Sequence, residues 1–280
     1  MSNKTIAVLH PGEMGAAIGA GLVARGHRVL WVSAGRGAAT RRRAESCGLE
    51  DAGTLARAVQ AADVVFSVCP PHAALELARA VAACSFGGVY IDANAVSVET
   101  TRAVGRLVEA AGARFVDAGI IGPPPNPGAS VRLYLCGERA AEIAPLFEGH
   151  VMRAIVLDGP VGAASALKVC YAAWNKGATA LLAGIRALAD HEGVDAALIE
   201  EWNISQPDIP RRSEVVTVSA RKAWRWIAEM EEIAASFEAA GLPAGFHLAA
   251  ADIYRRLEGF KDAARPPALA EVKAALLREK

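Results

Sequence analysis

Short apolar runs alternate with alanine-rich stretches through the first half of the chain. Ile6–Leu9, Val29–Val32, Val64–Val68, Val89–Ile91, Phe115–Val116, Arg132–Cys136 and Ala154–Leu157 have the length of strands. Several are rich in Val and Ile, as strands buried on both faces are. Segments 14–25, 37–47, 53–61, 72–83, 98–111 and 138–147 carry apolar residues at helical spacing. Alternation at this pace predicts a parallel sheet with helices on both faces. From about residue 161 the strand signal stops. Residues 161–191 predict one long helix. In 219–240, Trp224, Ile227, Met230, Ala234 and Phe237 mark one apolar helical face, ended by Gly241 and Pro243. A further helix is expected over about 244–258, and 203–213 reads as a loop. The pattern gives an α/β domain over 1–160 and an all-α domain over 161–280.

The first strand ends in "HPGEMG", residues 10–15, and a helix opens there. A strand, a tight turn and a helix N-terminus can hold a pyrophosphate, because the helix start offers amide hydrogens without intrahelical partners. Gly12 suits a close backbone approach, and Gly15 suits close packing of helix on sheet. Gly12, Glu13 and Met14 are thus candidate cofactor residues through their backbone, with the Glu13 side chain turned away from the anion. His10 stands where a first glycine is usual, and Pro11 presets φ in its own way. The second strand, "GHRVLWV", follows at the distance a Rossmann-like dinucleotide-binding domain requires.

The end of that second strand selects the nucleotide. A carboxylate there binds the ribose hydroxyls of NAD. This chain has Ser33 at that place, then Arg36, and no carboxylate before Glu45. A hydroxyl and a guanidinium fork suit a ribose 2′-phosphate. The expected cofactor is therefore NADP rather than NAD. Arg41, Arg42 and Arg43 extend the basic turn, and some of them are expected on a solvated helix face.

Composition narrows the function classes. The 280 residues hold 30 Lys and Arg against 30 Asp and Glu, so broad attraction to nucleic acid or to an anionic membrane is not expected. No apolar run is long enough for a membrane span, and "MSNKTIAVLHPG" reaches a glycine too soon for a secretory signal. Five scattered cysteines form no CxxC or Cys/His set. They read as reduced thiols in a cytoplasmic protein. His191 and Glu192 are too few to make a metal site.

The segment "PGEMGAAIGAGLVARGHRV" resembles the loop of the β-hydroxyacid dehydrogenases, with Met14, Gly15, Leu22, Gly26, His27 and Val29 matching and His10 departing. The likeness continues through "SVCPPHAA" (67–74), "DANAVS" (92–97), "DAGIIGPPP" (117–125) and "GAASALKVCYAAWNKG" (162–177). It is strongest toward a 6-phosphogluconate dehydrogenase-like NAD(P)-binding branch that has its own C-terminal helical domain. The resemblance implies a Rossmann-like domain, a helical substrate and dimerisation domain, an active site in the cleft, a small-molecule substrate and a homodimer. It also implies that Lys168, six residues after Gly162, is the catalytic acid–base. The family's paired asparagines are Tyr171 and Ala172 here. Tyr171 and Asn175 share a helical face with Lys168 and are candidate substrate residues. The family's serine in the carboxylate loop is Ile121, and Pro123 removes an amide donor, which leaves Gly122 as that loop's candidate contact.

Strand ends supply the remaining candidates. Cys69 and Pro70 should approach the pyrophosphate or the nicotinamide ribose, and Asn94 the nicotinamide ribose or substrate. His72, opening the next helix, is a candidate substrate contact. Asp92 and Asp117 read as loop-ordering residues, and Arg211 and Arg212 as a solvated loop. The expected activity is hydride transfer between NADP and a secondary alcohol or carbonyl of a hydroxy-acid-like substrate. The alternatives are an imine reductase on the same scaffold and an NADP(H)-binding sensor without turnover. Related imine reductases commonly lack the lysine, so Lys168 favours alcohol chemistry.

Overall fold

The structure, a computed structural model, describes residues 3–278. One sheet organises the first half. Its strands are β1 (Thr5–Val8), β2 (Arg28–Trp31), β3 (Glu50–Asp51), β4 (Val64–Ser67), β5 (Val89–Asp92), β6 (Arg114–Ile121), β7 (Val131–Cys136) and β8 (Met152–Val156). Between them run α1 (Glu13–Ala24), α2 (Ala38–Ser46), α3 (Leu55–Ala61), α4 (Ala74–Ala82), α5 (Val98–Ala110) and α6 (Ala140–Ile143). The strand order is β3-β2-β1-β4-β5-β6-β7-β8. The chain therefore reverses its direction of travel between β1 and β4. The loops that leave these two strands diverge and open a crevice at their carboxyl ends.

Alternation along each strand builds two apolar layers. Ile6 and Val8 pack with Ile18, Leu22 and Phe147 on one side of the sheet. Ala7 and Leu9 pack with Val81, Val104 and Val108 on the other.

Two features differ from the expected sheet. β6 and β7 pair antiparallel, because the connection 122–130 is too short for the crossover that a parallel pair needs. The two-residue β3 pairs parallel with β2, and its exposed Glu50 and Asp51 carry no apolar signal.

The long helix α7 (Ala163–His191) begins against β6. Its start is held by one buried carboxylate. Asp117 Oδ2 accepts from the amides of Gly162, Ala164 and Ser165 at 3.0, 2.9 and 3.2 Å, and Oδ1 accepts from Ser165 Oγ at 2.6 Å. These are the orphan donors of a helix N-terminus, and a negative charge there also meets the helix dipole. Burial pushes the Asp117 carboxyl up, and these hydrogen bonds pull against it. Gly119 lets the helix come close: a Cβ there would lie 2.5 Å from the Ala164 carbonyl oxygen. The chain divides within this helix into two compact units, Met1–Val169 and Cys170–Lys280. The bonds to Asp117 explain why its first turns belong with the sheet rather than with the later helices.

The second unit is helical. After the rest of α7 come α8 (Asp195–Ser205), α9 (Ile209–Ser213), α10 (Val215–Ser219), α11 (Trp224–Ala239), α12 (Gly245–Arg256) and α13 (Leu269–Leu277). Met230, Ile233, Ala250, Ala251 and Tyr254 are buried. Lys176 pairs with Glu229, and the Tyr254 hydroxyl donates to the Lys176 carbonyl at 2.6 Å. Arg186 grips Asp195 through Nε at 2.6 Å and Nη2 at 2.9 Å, and Lys273 joins Asp190 and Asp195. Arg186, then Lys273, holds the Asp195 carboxyl down at about 2.

The expected loop over 203–213 is largely helical, since α8 runs to Ser205 and α9 starts at Ile209. Pro210 sits in the first turn of α9, where its missing amide hydrogen costs nothing. Among the described residues no helix is long and apolar enough to cross a membrane.

Replacing Asp117 by Ala strips four hydrogen bonds from the start of α7. The unfolding free energy should fall by about 2–4 kcal/mol, read by urea denaturation. Asp117→Asn, which keeps one acceptor oxygen, should cost less.

Candidate functional site

The loop after β1 has the shape of an anion cradle. Gly12 is the N-cap of α1, with extended backbone (φ −68°, ψ −167°). A Cβ on Gly12 would meet nothing within 4 Å, so this backbone faces open space that a diphosphate can enter. Gly15 packs the helix onto the sheet: a Cβ there would lie 2.2 Å from the His10 carbonyl oxygen and 2.9 Å from Val68 Cγ1. Glu13 is exposed, and the Met14 side chain packs against the core. His10 is absent from the positive-φ residues, so the turn does not need glycine at that position.

The basic turn after β2 folds back onto this loop. Arg36 Nη2 donates to His10 Nε2 at 2.8 Å. Arg43 Nη1 donates to the Pro11 carbonyl at 3.4 Å, and Arg41 Nη2 to the Ser33 carbonyl at 3.2 Å. Arg42 is exposed. Ser33 is buried, and its hydroxyl meets a carboxylate that sequence reasoning missed. Asp51, at the end of β3, is engaged by Ser33 and by the Gly53 amide at 2.7 Å. Desolvation raises the Asp51 carboxyl, but these bonds and the nearby Arg41 outweigh it and hold it below the usual range. The basic turn thus contains an acid, delivered by the neighbouring strand rather than by the chain just after β2.

The ends of β4 and β5 are tied together by Asn94. Its Oδ1 accepts from the Cys69 amide at 2.6 Å, its Nδ2 donates to Ser67 Oγ at 3.0 Å, and its own amide donates to Asp92 Oδ1 at 2.9 Å. Asn94 is 3% exposed. Its amide is committed to fixing the Cys69–Pro70 turn, so it shapes this wall from beneath. Burial, then the charge of Asp92, pushes the Cys69 thiol up to about 12, and the sulfur stays protonated at neutral pH. Pro70 and His72 are exposed on the following turn. Asp92 is fully buried with Oδ2 unpaired, near the buried Tyr90 hydroxyl. Burial, against the pull of the Asn94 amide, lifts the Asp92 carboxyl to about 7, and Asp117 adds to the rise.

Where α7 meets β6, Lys168 is half-buried and its Nζ donates to the Ile120 carbonyl at 2.8 Å. Ile120 lies one residue from the carboxyl end of β6. The Lys168 ammonium therefore stands at the same edge of the sheet as the loops after β1 and β4. Gly122 is exposed with φ +130°, and a Cβ would lie 2.6 Å from the Ser130 carbonyl oxygen, so only glycine suits that position. Ile121 is buried, which leaves this loop without a side-chain donor at the place of the family's serine. Tyr171 and Asn175 are exposed one and two turns further along α7, and Asn175 Nδ2 donates to the Tyr171 carbonyl at 2.9 Å. Arg212 lies over the Trp174 ring, 5.0 Å from its centroid.

Comparison with known proteins fits this geometry. Residues 5–142 match the NAD binding domain of 6-phosphogluconate dehydrogenase, and residues 189–257 match a domain of unknown function, DUF1932. Among curated proteins no match was found. The chain is similar to the conserved protein MTH1747 of unknown function, itself reported to resemble 3-hydroxyacid dehydrogenases. Identity is 25% and the TM-score 0.70, over 91% of this chain and 97% of that one. It shares its fold with the Mycobacterium tuberculosis 3-hydroxyisobutyrate dehydrogenase solved with L-serine, at 21% identity and TM-score 0.72, over 99% and 100% of the two chains. It also shares its fold with the Aspergillus terreus reductive aminase solved with NADPH and ethyl levulinate, at 19% identity and TM-score 0.58, over 97% and 98%.

The buried Asp92 yields a pH test. Its folded-state value lies above its ordinary 3.8, so the folded protein holds a proton that the unfolded chain releases. Stability is therefore lost as pH rises between the two values. Asp92→Asn removes that loss. The variant's advantage in unfolding free energy should grow by about 2–3 kcal/mol from pH 5 to pH 8. A difference that stays flat with pH would reject the assignment.

Proposed function

We propose that this chain, whose residues 5–142 match the NAD binding domain of 6-phosphogluconate dehydrogenase and whose residues 189–257 match DUF1932, is an NADP-dependent oxidoreductase. It moves hydride between nicotinamide and a secondary alcohol or carbonyl carbon of a small hydroxy-acid-like substrate. In this reading the α/β half, 1–160, holds the cofactor. The helical half, 161–280, holds substrate and joins two protomers, an arrangement supported by the exposed apolar residues Trp174, Leu181 and Leu188 along α7.

The observation that carries the reading is the position of Lys168. Asp117 and Gly119 fix the start of α7 against β6, and that contact holds the Lys168 ammonium at the Ile120 carbonyl, at the edge of the sheet where ligands bind in such folds. The bond to Ile120 orients the ammonium at this edge. Lys168 donates a proton to the carbonyl oxygen in reduction and takes one from the hydroxyl in oxidation. The bound nicotinamide supplies or accepts the hydride.

The cofactor is assigned to the residues that fit it. Gly12 and the backbone of Glu13 and Met14 hold the pyrophosphate at the start of α1. Arg36 and Arg41 hold the ribose 2′-phosphate, with Ser33 beneath them. Asp51 offsets part of that positive charge, and the guanidinium excess still favours the extra phosphate. Cys69 and Pro70 form the opposite wall, shaped by Asn94. His72, Gly122, Tyr171 and Asn175 are assigned to substrate.

A second reading has one observation in its favour. Ile121 and Pro123 stand where the resembling family has donors for a substrate carboxylate, which suits a carbonyl or imine without an acid group. The two readings separate in one experiment: turnover of hydroxy acids and of cyclic imines with NADP(H) and NAD(H), by wild type and Lys168→Ala. The leading reading expects hydroxy-acid oxidation with NADP, reduced at least about 100-fold in kcat by the substitution. Imine reduction that survives Lys168→Ala would favour the second. NADPH binding with no turnover in either panel would point to a sensor.

A further inference from the structure

The departure of His10 from the glycine pattern is used by neither the turn nor the proposed proton transfer. His10 adopts no positive φ, so the backbone does not explain it. Its ring is half-buried, and Nδ1 is buried with no partner, an arrangement that costs free energy rather than adding it. What the ring does touch is Arg36, whose Nη2 lies 2.8 Å from Nε2. A guanidinium can only donate, so Nε2 is the acceptor and the proton sits on Nδ1. Burial, with the charge of Arg36, pushes the imidazole down to about 4, which keeps the ring neutral and accepting at physiological pH. The contact joins the two loops that a dinucleotide's diphosphate and adenosine ribose would each occupy.

We infer that His10 is a specificity-determining positioning residue, which holds the Arg36 guanidinium from the β1 turn so that it receives a ribose 2′-phosphate. This rests on the NADP reading above. An arginine on an exposed turn loses rotamer freedom when it grips a phosphate. A neutral acceptor that already orients one face of the fork reduces that loss and leaves its other donors for the ligand. A charged acceptor in place of His10 would compete with the phosphate for the same guanidinium. Arg43, on α2, donates to the Pro11 carbonyl and ties that helix to the same β1 turn.

The test is equilibrium titration of the full-length protein with NADPH, NADH and 2′,5′-ADP, followed by fluorescence or calorimetry. Wild type is compared with His10→Ala, His10→Gln, Arg36→Ala and the double variant, and melting temperature reports folding. Gln can place an acceptor oxygen near the position of Nε2. The inference expects His10→Ala to weaken NADPH and 2′,5′-ADP about tenfold and to leave NADH unchanged. It expects His10→Gln to recover most of the loss. In the Arg36→Ala background, removing His10 should cost nothing more.

NADPH affinity untouched by His10→Ala, in a wild type that does prefer NADPH, overturns the inference alone. Equal loss of NADPH and NADH also overturns it, because His10 then serves only the turn. A wild type that binds NADH as tightly as NADPH removes the NADP reading and this inference with it.

Discussion

A single carboxylate sets the geometry on which the candidate chemistry depends. Asp117 leaves the middle of β6 and accepts three amides and one hydroxyl from the start of α7. A charged acceptor in a buried place is tolerated only when its hydrogen bonds are made, and here three of the four donors are backbone amides that a helix start leaves unpaired. The exchange fixes both the axis and the rotation of α7 at its first turn. Gly119 then allows the helix to approach within backbone contact of the strand. Lys168, one turn further, is carried to the strand by these two residues and oriented there by the Ile120 carbonyl.

The crevice at the β1/β4 divergence is built by side chains that work from behind it. Asn94 is buried and spends its amide on Ser67 and Cys69. Asp51 engages Ser33 from the adjacent strand. Each restrains a loop whose backbone faces the open space. Positive charge is concentrated on one turn, and that turn is moored to the glycine loop by His10 and Pro11. These loops are thus restrained by a neutral imidazole, a backbone carbonyl, a side-chain amide and one carboxylate.

The sheet and most helices were legible because burial on both faces writes dense Val and Ile runs, as in Val64–Ser67, between alanine-rich helical spacings. What failed was informative. β3 has two polar exposed residues and forms only because β2 offers a free edge, so Asp51 and its meeting with Ser33 could not be read from local pattern. β6 looked short because Asp117 and Gly119 resemble loop punctuation, yet both sit inside the strand for the sake of α7. The antiparallel turn at β7 could have been foreseen from the nine-residue connection, which cannot hold a crossover helix. In the helical half, α8 and α13 have too little apolar periodicity to announce themselves, and Pro210 reads as a breaker although it opens a helix. Among candidate site residues, the strand-end positions followed from the α/β alternation. Lys168 was singled out only by the family likeness, because a lone lysine on an apolar helix is usually a rim residue.

The boundary between the two compact units has a practical corollary for dissecting the chain. Loss of strands near residue 161 suggests cutting there, but such a fragment would keep Asp117 and discard every amide that neutralises it. The carboxylate would be left without any of its four hydrogen bonds, and the fragment would carry an open flank where α7 had lain over Gly119. An autonomous α/β half must run on to Val169, ending in mid-helix, because the last pieces of that half are written in the opening turns of the next.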